Sequence, residues 1–171
     1  MRWSAVLGYG LGHGLALSVL FTVGVFAGAA VSRDFLLNDY PPAIQRRYGR
    51  PKSRRGHQVA LLFSMFVWAV CGLPLVVGAM IGLDGALPEG LDFLSAAVCA
   101  ALVFATLTVW DLVVLDWIVL AGLRPRLLVL PGTEDMPEYR DLRFHLAAAL
   151  KGSPLIVVVG LLTGGIATLI A

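Results

Sequence analysis

Two acidic side chains stand inside an otherwise apolar run, Asp111 and Asp116 of Trp110-Asp-Leu-Val-Val-Leu-Asp-Trp117. An unpaired carboxylate deep in hydrocarbon is costly, so each must find a partner or reach water. Five residues turn an α-helix by about 140°, and the two groups are expected to face different neighbours. Asp116 then belongs at headgroup level beside Trp117, with Asp111 as the inward group. Two chemistries fit Asp111. It is a structural pair with His145 or an arginine of a neighbouring loop, Arg124 and Arg126 being candidates, or it lines a cytoplasmic vestibule where it binds a cation or passes a proton.

Little else in the chain has the spacing that chemistry needs. His13 lies among Gly8, Gly10, Gly12 and Gly14, far along the sequence from His57 and His145. With His13 at one end of the spans and the other two at the opposite end, no pair holds a haem. No Cys/His spacing suits zinc, and there is no Gly-rich phosphate loop, nucleophile elbow or paired-His motif. No catalytic residue, metal or cofactor is therefore expected. Cys71 and Cys99 fall at different depths of two apolar runs and read as packed thiols, not as a disulfide.

The basic residues carry the second signal. Arg46, Arg47, Arg50, Lys52, Arg54 and Arg55 crowd one segment among aromatics and turn formers. Next to a membrane such a run is drawn to anionic lipid headgroups by about 1 kcal/mol per residue. An acidic protein partner is the alternative; nucleic acid is not expected without a fold to present the charge.

The elements that must position these groups follow from composition. The chain has 171 residues, of which 58% are hydrophobic and only 14% charged, against about 25% charged in soluble domains. Its charges collect in two blocks separated by apolar runs long enough to cross about 30 Å of hydrocarbon. The expected fold is all-α, a single polytopic membrane domain over 1–171 with spans near 4–31, 59–83, 93–121 and 154–171. Pro74 predicts a kink in the second span, and the fourth is so short that it must stand upright or begin before Pro154. The blocks at 32–58 and 122–153 hold almost all Lys and Arg. Both are therefore cytoplasmic, with both termini outside. A cleaved signal peptide ending near Ala27-Gly-Ala-Ala30 fits less well, since its apolar region is too long and cleavage would export the most basic loop.

Glycine pairs at a spacing of four recur: Gly8/Gly12, Gly10/Gly14, Gly24/Gly28, Gly78/Gly82 and Gly160/Gly164. They pack the helices of one chain or form a homo-oligomer seam. Pro137 to Lys151 reads as a short helix on the cytoplasmic surface, with a stripe of Leu142, Leu146 and Leu150, turning at Gly152-Ser-Pro154 into the last span. The Asp116-Trp117 pair followed by Pro131-Gly-Thr-Glu134 resembles a pattern in a family of small, uncharacterised bacterial four-helix integral membrane proteins, over about a fifth of the chain. The resemblance implies the class and brings no activity. The bias to Arg, Ala, Gly, Val and Leu suits a GC-rich bacterium. The expected role is a structural or accessory component of a bacterial inner membrane, alone, as a homo-oligomer or in a larger complex. The alternatives are an ion or small-solute transporter or channel, and a lipid-modifying enzyme at the cytoplasmic face.

Overall fold

The computed structural model describes residues 2–170. Among them every regular element is helical: α1 Arg2–Val31, α2 Pro42–Tyr48, α3 Arg54–Ala86, α4 Phe93–Leu123 and α5 Leu142–Ile170. Four of these are long and apolar enough to cross a membrane, whereas α2 is a short loop helix. Their ends follow local chemistry. Ser53 caps α3 by accepting from the Gly56 amide, Asp92 caps α4 by accepting from Leu94 and Ser95, and Asp141 caps α5 by accepting from Phe144. Helix α2 starts on Pro42 and stops where Gly49 turns left-handed at φ 68°.

Helices α1 and α4 form the central pair. Built-on Cβ atoms at Gly10 and Gly14 would lie 2.7 Å from Leu102 Cβ and 2.6 Å from Thr106 Cβ, so only glycine permits this approach. On the opposite face of α4, Gly160 and Gly164 of α5 meet the Ala97 and Phe93 carbonyls, each 2.8 Å from where a Cβ would stand. Helix α3 covers α1, with Phe63 over Gly24 and Tyr9 over Gly82, and touches α4 where Trp68 stacks on Phe104. Four of the five glycine pairs thus pack this chain on itself. Gly8 and Gly12 alone have nothing within 4 Å of either Cβ position. Large apolar side chains lie exposed along all four long helices, from Leu7 and Val23 through Leu61 and Ile81 to Leu161 and Leu169.

One open choice is decided and two expectations need correction. The last long helix begins at Leu142, before Pro154, which gives it ample length; Ala171, the expected end of the span, lies outside the described residues. Nor does a helix begin at Pro137: Pro137–Arg140 is a 3₁₀ turn, and the chain does not turn off at Ser153, whose φ −59° and ψ −31° stay right-handed helical. The Leu142, Leu146, Leu150 stripe faces outward and His145 is the buried residue of that segment. Finally, Asp111–Leu123 of α4 is π-helical, as is Phe66–Gly72 of α3. The latter lies just before Pro74, where a wider turn relieves the ring's clash with the carbonyl four residues back.

Candidate functional site: an acid and histidine centre beneath a folded cap

The two blocks between the long helices pack on each other across one end of the bundle. Phe35, Leu37, Tyr40 and Ile44 of the first and Leu128, Val129, Leu130 and Tyr139 of the second form one core with Val25, Leu115 and Leu120 of the helices below. Polar bonds fasten it. The Tyr40 hydroxyl donates to the Leu128 carbonyl at 2.6 Å, and the Leu130 amide donates to the Tyr139 hydroxyl at 3.0 Å. That hydroxyl also shares a bond with Thr133 Oγ1 at 2.7 Å, and the two tyrosine rings meet edge to face at 5.7 Å. Burial, with the neighbouring Tyr139 and carboxylates adding to it, holds the Tyr40 phenol far above its ordinary value. Burial also raises Tyr139, against the opposing effect of its bonds to Thr133 and Leu130. Both rings are therefore neutral hydrogen-bonding struts.

Asp34 ties the exit of α1 to the entry of α3. Its carboxylate accepts from Ser32 Oγ at 2.5 Å, the Ser53 amide at 2.6 Å and Ser53 Oγ at 3.1 Å. Burial works against its ionisation, but these bonds prevail and set its carboxyl below the usual carboxylate range. Gly56 makes room, since a Cβ there would stand 2.6 Å from Asp34 Oδ1.

Under the cap, His145 Nδ1 lies 3.2 Å from Asp116 Oδ2. His145 is 3% exposed, and its Nε2 has no hydrogen-bond partner among the described residues. The expected geometry of the two acids fails here. A π-helix bonds i to i+5 and so sets residue i+5 almost over residue i. Asp111 and Asp116 therefore share one face, within electrostatic reach of each other, of His145 and of Asp39 from the cap. Protein around the Asp39 carboxyl raises it above its usual value; Lys52 opposes the rise and Asp116 adds to it. Asp116, not Asp111, holds the histidine, and Asp111 is half-buried.

The remaining candidates go elsewhere. Arg124, left-handed at φ 48° where α4 ends, lies over the Tyr139 ring at 5.7 Å. Arg126 faces a cavity with Arg33 and Glu134. Arg46, Arg47, Arg50, Arg54 and Arg55 are all exposed, with Lys52 half-buried, on a folded surface and not on a loose loop. His13 bonds the Tyr9 carbonyl of its own helix at 2.9 Å, not a neighbouring one. Cys71 and Cys99 are buried free thiols. Among the described residues, no group of His, Cys, Asp or Glu is placed to hold a metal ion. Asp34, Asp39, Tyr40 and Tyr139 went unread as site residues. Tyr40 and Tyr139 stand 99 positions apart, and nothing local announces that they meet. Comparisons with protein-family models, with curated proteins and with solved structures return no match.

Proposed function

We propose that the protein is a multi-pass component of a bacterial inner membrane, with the cap on the cytoplasmic side and both termini outside. Its role is structural or accessory: four spans anchor a rigid, basic cap against the inner leaflet. The observation that carries this reading is the fold of the cap, where two separate blocks share a core and are joined by the Tyr40–Leu128 hydrogen bond. Two further features support it. Arg54 and Arg55 occupy the first turn of α3, where positive charge opposes the helix dipole. They weaken the helix slightly, so their use lies outside it, and anionic headgroups are the natural counter-charge. Arg2, the one Lys or Arg outside the two blocks and so the one that favours the opposite orientation, is bonded to Asp92 at 2.7 Å and to Ser95 at 2.8 Å, and so is already matched at the far end. In this setting the outward Leu142, Leu146 and Leu150 continue the lipid-facing surface of the last span into the interface.

Alkaline phosphatase fused after Gly85 is expected to be active and after Lys52 inactive; the reverse pattern overturns the orientation. Protease added to inside-out vesicles should leave the cap intact, and cleavage throughout 32–58 would remove the rigid-platform reading. A second reading, proton or cation passage, draws on the convergence of Asp111, Asp116 and the unpartnered His145 Nε2. Asp116→Asn, which changes the carboxylate that meets His145, separates the two. If the centre passes ions, flux in proteoliposomes falls while stability survives; if it is a structural contact, stability changes and no flux is seen in either protein.

A further inference from the structure

Arg33, Arg126, Val129 and Glu134 line a cavity of about 300 Å³ at the rim of the cap, within the range of small-molecule sites. Arg33 stands two positions beyond the end of α1, and Arg126 three beyond the end of α4. Both guanidiniums thus leave the bundle where its apolar spans stop, which in the membrane arrangement proposed above is the headgroup layer. Neither arginine makes an ion pair or a hydrogen bond within the described residues. Glu134 is the single acid of the lining, and one of its oxygens accepts from the Gly132 amide at 3.1 Å, which fixes the carboxylate in place. The backbone bonds of its own turn, and after them the nearby Arg33 charge, favour its ionised form.

The cavity therefore presents two free cations and one oriented anion. Two guanidiniums match a phosphodiester, since arginine pairs with phosphate oxygens by planar, charge-assisted bonds. A carboxylate beside them would repel a simple anion but would attract an ammonium carried on the same molecule. We propose that this cavity binds a phosphoethanolamine headgroup of a membrane phospholipid, with Arg33 and Arg126 on the phosphate and Glu134 on the primary ammonium. The inference rests on the membrane reading, because only an inserted protein brings its rim to that layer. It goes beyond the general attraction of the basic surface to anionic lipid by naming a zwitterionic partner and its site. A trimethylated ammonium has no N–H to donate and should be refused.

The test uses the full chain in nanodiscs of equal parts phosphatidylethanolamine, phosphatidylglycerol and phosphatidylcholine with identical acyl chains, the retained lipid being read by native mass spectrometry. The wild type should keep phosphatidylethanolamine over phosphatidylcholine by roughly tenfold, the size of one charge-assisted contact. Glu134→Gln should erase that preference while still retaining lipid, and Arg33→Gln with Arg126→Gln should lower retention of all three; Arg140→Gln, outside the cavity, is the control. These side chains are exposed, so the variants should fold, and helix content by circular dichroism checks it. Equal retention by the wild type, a preference for phosphatidylglycerol, or a preference that survives Glu134→Gln overturns the proposal. Soluble glycerophosphoethanolamine binding the detergent-purified protein as tightly as the lipid would overturn the lipid as its source. Failure of the chain to enter nanodiscs at all would instead overturn the membrane reading.

Discussion

Removal of the Asp34 carboxylate should open the cap at its hinge, by an amount that its three donors decide. Two are hydroxyls, Ser32 Oγ and Ser53 Oγ, which can rotate to other acceptors. The third, the Ser53 amide at 2.6 Å, is held by the backbone and cannot turn away. A hydrogen bond to a charged acceptor is worth about 1.5–3 kcal/mol, so Asp34→Ala should cost about 2 kcal/mol through this amide alone. Asp34→Asn can offer its carbonyl to the same amide and its NH₂ to the hydroxyls, and should lose only about 1 kcal/mol. Hydrogen exchange at the Ser53 amide reads this directly: about 30-fold faster in the alanine variant and about fivefold in the asparagine variant. The pH dependence has a definite sign. The folded pKa lies below the ordinary 3.8, so the stabilisation is complete above 3.8 and is lost as pH falls through the lower folded value. Asp34→Asn should remove that acid-sensitive step. Unchanged exchange in Asp34→Ala, or wild-type protection lost well above pH 3.8, would refute the reasoning.

Tyr139→Phe should destabilise the cap by about 1–3 kcal/mol, because the Leu130 amide is then buried without an acceptor; Tyr40→Phe, which removes a donor and leaves one carbonyl, should cost about 1 kcal/mol, both read by thermal unfolding in mild detergent. Gly160→Leu should part α5 from α4, since even a Cβ would stand 2.8 Å from the Ala97 carbonyl, whereas Gly8→Ala should leave the unfolding temperature unchanged because that position is open. Replacing Arg46, Arg47, Arg54 and Arg55 together by Gln should lower cross-linking of this segment to anionic lipid, the attraction falling by about 1 kcal/mol per residue, with the cap still folded; unchanged cross-linking would end the electrostatic argument.

The four long helices were legible in the chain because their signal is local. About 20 apolar residues in a row suffice to span lipid, and neighbours along the chain supply that count. The charge blocks, the packed thiols and most glycine pairs could be read for the same reason. Helix starts were harder. Asp141 caps the last long helix, yet Pro137 four positions earlier offered an equally good local start, and only the packing of Tyr139 into the cap decides between them.

The site itself was decided by tertiary structure. The α-helical period sends Asp111 and Asp116 to different faces, and a change from i+4 to i+5 bonding reverses that conclusion without altering a residue. No sequence pattern marks where α4 widens, and its π-helical turns run against the cap and α5. The cap likewise depends on Tyr40 meeting Leu128 and on Asp34 meeting Ser53, contacts that cross from one segment of the chain to another. Composition along the chain determines which segments are long and apolar enough to cross a membrane, because transfer to lipid is nearly additive over neighbouring residues. Which polar groups meet at the bundle's end depends on helix phase and on contacts across long separations, and these exist only once the chain has folded.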